Sequence, residues 1–173
     1  MKKILIALAI MLAVQVADAQ VKTPEAAQKA LDGAVAASKD PKKAAKVATW
    51  LKLATSYMDA YNAPAGSAWI GASRQELKLL MSNEKVLKTE NVVLGGDPLT
   101  KEVYANKDLY YNAQGQLVMI DITKPVINNA LEGACEAYTK AYEVDVKQSK
   151  LKDILAGLES INKKFLDIGC NTL

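Results

Sequence analysis

The stretch from Pro41 to Tyr61 constrains this chain more than any other. Its apolar residues fall in two helical rows. One holds Val47, Leu51, Ala54, Met58 and Tyr61, the other Trp50, Leu53, Tyr57 and Ala60. Two rows leave only a narrow polar face, so a helix here must be covered on more than one side. The chain supplies candidate neighbours before and after it. Thr23-Pro24-Glu25 reads as a capped helix start, followed by an Ala-rich helix to about Ser38. Asp40-Pro41 repeats the start signal, and the helix it opens runs to about Tyr61, before the breaker cluster Asn62-Ala63-Pro64-Ala65-Gly66.

Beyond the breakers the pattern changes. Ser73 and Glu76 form a capping box that opens a short helix to about Met81. Residues 84–94 alternate and are rich in Val, Leu and Thr, as a strand requires. Gly95-Gly96-Asp97-Pro98 is a turn before a second strand over 99–104. Leu109–Tyr111 and Leu117–Ile122 flank a Gly-containing loop, which predicts a β-hairpin. Pro125 then opens a helix to about Val144, and Ser149 a last one to about Ile168, with Gly169 as its stop. A β segment wedged between helical stretches predicts a mainly α fold with an inserted antiparallel β-hairpin or small sheet over 62–124.

Residues 1–19 read as a cleavable export signal. Lys2 and Lys3 precede the apolar run Ile4–Val16, and Ala17-Asp18-Ala19 offers small residues where a signal peptidase reads them. The run is shorter than the roughly 20 residues a spanning helix needs. The expected mature chain is one domain, 20–173, in the periplasm or secreted, with no stable membrane span. Such compartments permit disulfides. Cys135 and Cys170 are either bridged or two separate small apolar residues, and spacing does not decide between these.

Composition removes several function classes. The 173 residues contain no histidine, the commonest general base and metal ligand, and the formal charge is only +3. Arg74 is the sole arginine and the lysines are dispersed, against a nucleic-acid-binding face. Gly95-Gly96 leads into a polar strand rather than a helix, so it is no phosphate cradle. Gly66-Ser67 lacks the context of a nucleophile elbow. Glu132, Glu136 and Glu143 read as a solvated helix face. No catalytic residue, cofactor or metal is expected.

Trp50, Leu53, Ala54 and Tyr57 follow the spacing W-x2-L-A-x2-Y, which resembles the first-helix signature of tetratricopeptide repeats. Ala134, Tyr138 and Ala141 match the second-helix offsets of that family. Tyr57 and Ala134 stand 77 positions apart, against about nine in a 34-residue repeat. The strand-rich segment would then be looped out of one repeat. A following repeat would place its Leu and small residue at Leu155 and Ala156, without the matching aromatics. The resemblance implies antiparallel helix pairs that bind a peptide or protein partner in the cell envelope. Such stacks usually hold three or more repeats. Either the insert completes the core here, or the chain is the front part of a longer array. An ordinary helical bundle would use the same residues as core. A second expected binding surface is aromatic: Trp69 with Tyr104, Tyr110 and Tyr111, able to take a small ligand or glycan. Tyr110 and Tyr111 are adjacent on a strand, so one of them should face outward.

Overall fold

A computed structural model describes residues 21–170 of the chain, with side chains described to Asp167. The proposed signal segment lies outside the described residues. The elements run, in order, α1 (Pro24–Ser38), α2 (Pro41–Ala44), α3 (Val47–Asn62), α4 (Arg74–Leu80), β1 (Lys88–Leu94), β2 (Asp97–Val103), β3 (Asp108–Tyr111), β4 (Leu117–Asp121), α5 (Ala130–Val144) and α6 (Leu151–Cys170). Described residues thus form six helices and one four-stranded antiparallel sheet, a mixed α and β architecture in which the expected hairpin or small sheet is a full four-stranded sheet and the mainly α expectation fits only loosely.

Several boundaries differ from those expected, each for a local reason. The helix expected over 41–61 is broken. Asp40 caps a single turn by accepting from the Lys42 and Lys43 N–H groups, and Lys46 is extended. The carbonyl of Ala44 at the break accepts the Trp50 indole N–H at 2.7 Å, so a side chain satisfies a helix-end group that the helix itself leaves unpaired. The helix expected from Pro125 begins at Ala130, because Asn129 sits in the left-handed region at φ 59°. Before it, the Thr123 and Lys124 N–H groups both donate to the Asn106 carbonyl, which ties the returning chain to the β2–β3 turn. Gly169 stops nothing, since α6 continues through it.

The helices pack in the order α1, α3, α5, α6. Helices α3 and α5, separated in sequence by the whole sheet, share the most extensive contact of any pair. Tyr57, late in α3, lies on Gly133, early in α5, so the two run antiparallel. Their core joins Leu31, Leu53, Ala54, Leu131, Ala134, Tyr138, Ala141, Ile154 and Ile161.

A second core belongs to the sheet. The strands form a meander, β1-β2-β3-β4. Gly95 and Gly96, both at positive φ, make the two-residue β1–β2 turn that Leu94 and Asp97 flank. Helix α4, with the capping box intact, packs Leu77 and the following Met81 against Tyr104, Leu109, Tyr111 and Leu117.

Candidate functional site

Three places offer candidate chemistry: the α3–α5 groove, the tyrosine-bearing face of the sheet, and the cleft between helices and sheet. The groove is the one that two half-buried aromatic side chains line.

Four of the residues in the repeat-like pattern form the floor between α3 and α5. Leu53 and Ala54 are buried on one side, Ala134 and Ala141 on the other. Alanines let the two axes approach closely. Tyr138 braces them from α5 and reaches Gly157 of α6. Burial, with Asp153 nearby, raises the Tyr138 hydroxyl pKa. Trp50 and Tyr57 are only half-buried. They form, with Leu53, Gly133, Ala137, Thr139 and Lys140, a groove of about 400 Å³. Glu136 and Lys140, one turn apart on α5, place opposite charges at its rim. Cys135 also reaches the groove and is a free thiol; its expected alternative partner, Cys170, lies outside the residues whose side chains are described.

The second expected surface is corrected by the structure. Tyr104, Tyr110 and Tyr111 are all buried, Tyr111 at 1 % exposure. They pack the sheet instead of lining a surface. Tyr104 and Tyr111 belong to the core under α4. Tyr110 is on the opposite face, where Lys101 sits over its ring at 5.5 Å and also pairs with Asp108 at 2.7 Å. The alternation argument placed Tyr110 and Tyr111 on opposite faces correctly. It failed in taking one face to be open. Trp69 is about half exposed, and no tyrosine of the three shares its surface.

Sequence reasoning also missed a buried polar cluster within the sheet core. Glu102, 1 % exposed, accepts from the Arg74 Nε–H at 2.7 Å and from the Tyr104 hydroxyl at 3.1 Å. Burial first, and then the Glu102 charge, push the Tyr104 and Tyr111 hydroxyl pKa values well above the ordinary phenol value. Lys107 is equally buried and donates to Glu84 at 2.7 Å and to the Pro64 carbonyl at 3.0 Å. Glu102 is itself charged and follows Thr100 and Lys101 along β2, so nothing in the local sequence marks it as buried. The cluster has structural uses for each of its charges.

The helix–sheet cleft is larger, about 1120 Å³, lined among others by Lys22, Leu80, Glu84, Leu87, Tyr104, Asn106 and Val126. Several of its polar groups are engaged: Lys22 with Asp59, Glu84 with Lys107, and Asn106 with the Pro64 carbonyl. Glu132, Glu136 and Glu143 are exposed on α5, as a solvated helix face requires. The expected second repeat also fails at its quoted residues. Leu155 is 55 % exposed and Ala156 faces solvent, while Ile154, Ile161 and Gly157 make the inward contacts.

Among the described residues no three His, Cys, Asp or Glu side chains converge as metal ligands, and no helix is long and apolar enough to cross a membrane. Comparison of the chain with known protein families, with curated proteins and with solved structures finds no match.

Proposed function

We propose that this chain is an exported, non-catalytic scaffold of tetratricopeptide-like helix pairs that holds a peptide or protein partner in the cell envelope. One observation carries the reading: the α3–α5 pair buries its small residues and leaves Trp50 and Tyr57 lining an apolar groove with a charged rim. Half-buried aromatics in a groove are suited to anchoring a partner side chain, and Trp and Tyr carry much of the energy at protein interfaces. The strand-rich insert returns the chain from α3 to α5 and has its own core, so it leaves the groove open. The apolar N-terminal segment with its Ala-x-Ala end supports export.

The test is site-specific cross-linking in a bacterial envelope extract. A photoreactive side chain at Thr139, in the groove, is expected to capture a partner. The same probe at Asp32, on the exposed side of α1, is not. Adding Glu136→Lys and Lys140→Glu together should abolish the capture without unfolding the protein, since both side chains are solvent-facing. Equal capture from both positions, or capture that ignores the charge reversal, would exclude the groove.

A further inference from the structure

The two outer edges of the sheet are built differently. On the β4 side, Leu117 donates its N–H to the Ala72 carbonyl at 2.8 Å and accepts from the Gly71 N–H at 2.7 Å. That segment caps the first residue of β4. Among the described residues no segment does the same for β1.

Ladder alternation determines which β1 groups are free. Tyr104 N–H donates to the Lys107 carbonyl, so Tyr104, Glu102 and Thr100 direct their main-chain groups toward β3. Asp97, Leu99, Lys101 and Val103 therefore direct theirs toward β1. Their partners Leu94, Val92, Glu90 and Lys88 are committed to that pairing. Thr89, Asn91 and Val93 turn their N–H and C=O groups outward. The run between them has no proline and no register shift. Charges are a usual guard on such an edge. Here Lys88 and Glu90 pair with each other on their own strand, and Val93 is 68 % exposed.

The outward residues are symmetric about Asn91. In an antiparallel pairing of two copies centred there, Thr89 exchanges hydrogen bonds with the partner's Val93, Asn91 with the partner's Asn91, and Val93 with the partner's Thr89. Thr–Val neighbours suit a pleated surface. On the other face Lys88 meets the partner's Leu94 and Glu90 meets the partner's Val92, so no like charges stand directly opposite. A register centred on Thr89 would need Leu87, whose N–H already donates to Val103. One centred on Val93 would run into the Gly95–Gly96 turn. We propose that β1 is a self-association edge, through which two copies of this chain pair about Asn91 to join their sheets.

The experiment is sedimentation velocity on the folded chain from about 10 μM to about 1 mM, the range suited to a weak strand-paired dimer. Dimer should grow with concentration. Asn91 is exposed, so Asn91→Lys and Asn91→Glu should each fold normally, with an unchanged circular dichroism spectrum. Each variant alone places like charges opposite each other and should weaken the dimer about fivefold or more. An equimolar mixture of the two should restore it, because Lys then faces Glu. A monomer across the whole range overturns the proposal. So does a dimer indifferent to either variant, or one that both variants abolish and their mixture does not restore.

Discussion

Two glycines of the helices have opposite meanings, and the difference lies in what surrounds them. A Cβ on Gly157 would clash with the hydroxyl-bearing end of the Tyr138 ring, whereas a Cβ on Gly33 in α1 meets nothing within 4 Å. Ala is intrinsically the better helix residue by about 1 kcal/mol. Gly33→Ala is therefore expected to stabilise the protein by about 0.5–1 kcal/mol. Gly157→Ala should instead destabilise it by about 2 kcal/mol, as overpacking displaces Tyr138 from the helical core. Urea unfolding of the two variants reads both signs.

The buried tyrosines give a second residue-scale expectation. Tyr104 and Tyr111 have hydroxyl pKa values raised by burial beside Glu102. In the unfolded chain a phenol loses its proton near pH 10. Above that pH the folded state holds more protons than the unfolded one, so stability falls as pH rises. It is fully retained below the unfolded value. Phenolate absorbance should show these two groups ionising only together with the loss of near-ultraviolet circular dichroism. Their free titration in the folded protein would contradict the burial.

At the scale of elements, helix boundaries are decided by single side chains that reach across turns. Trp50 satisfies the end of α2. Asp145 organises the α5–α6 turn by accepting from the Ser149 N–H and hydroxyl and from the Lys150 N–H. Burial works to raise the Asp145 carboxyl pKa, but these hydrogen bonds outweigh it and the pKa is lowered. Its contribution is thus present above the unfolded carboxyl value and is lost as pH falls through the lowered one. Asp145→Ala should lower the thermal midpoint at neutral pH and speed amide exchange in the first turn of α6. The difference from the parent protein should shrink under acid. An unchanged difference under acid would show that the carboxylate charge has no part in it.

These same elements show what was legible from sequence. The caps at Thr23, Asp40 and Ser73 and the glycine turn at Gly95–Gly96 depend on neighbours within a few residues, and they were readable. The break at Ala45–Lys46 was not, because it depends on a tryptophan ring folding back onto its own helix start. The left-handed Asn129 was equally hidden, since its cause is the route by which the chain leaves the sheet. Of the candidate site, Trp50, Leu53 and Tyr57 were found from helical spacing. Gly133, Glu136 and Lys140 enter the groove only because α5 lies across α3.

At the scale of the whole molecule there are two cores. The helical one and the sheet one are separate clusters, joined by the connections around Pro64 and Lys124 and the contacts they make. The helices should therefore fold without the sheet. Replacing residues 68–123 by a flexible linker of about eight Gly and Ser residues, which spans roughly 15 Å, is expected to leave a cooperatively unfolding helical unit. Its denaturant m-value should be smaller, in keeping with the surface removed. Loss of cooperative unfolding would show that the sheet supports the helical pair.

The sequence by itself determined the kinds of element, most of their start signals and the need to cover the helix around Trp50 on several sides. All of these follow from side-chain period and local capping, which act over a few residues. Tertiary structure alone decided that α5 is one of the covers, that all three hairpin tyrosines are inside, and that the β1 edge is open among the described residues while the β4 edge is capped at Leu117. Those outcomes depend on which surfaces meet across tens of residues, and a face patterned to be buried does not name the surface that will bury it.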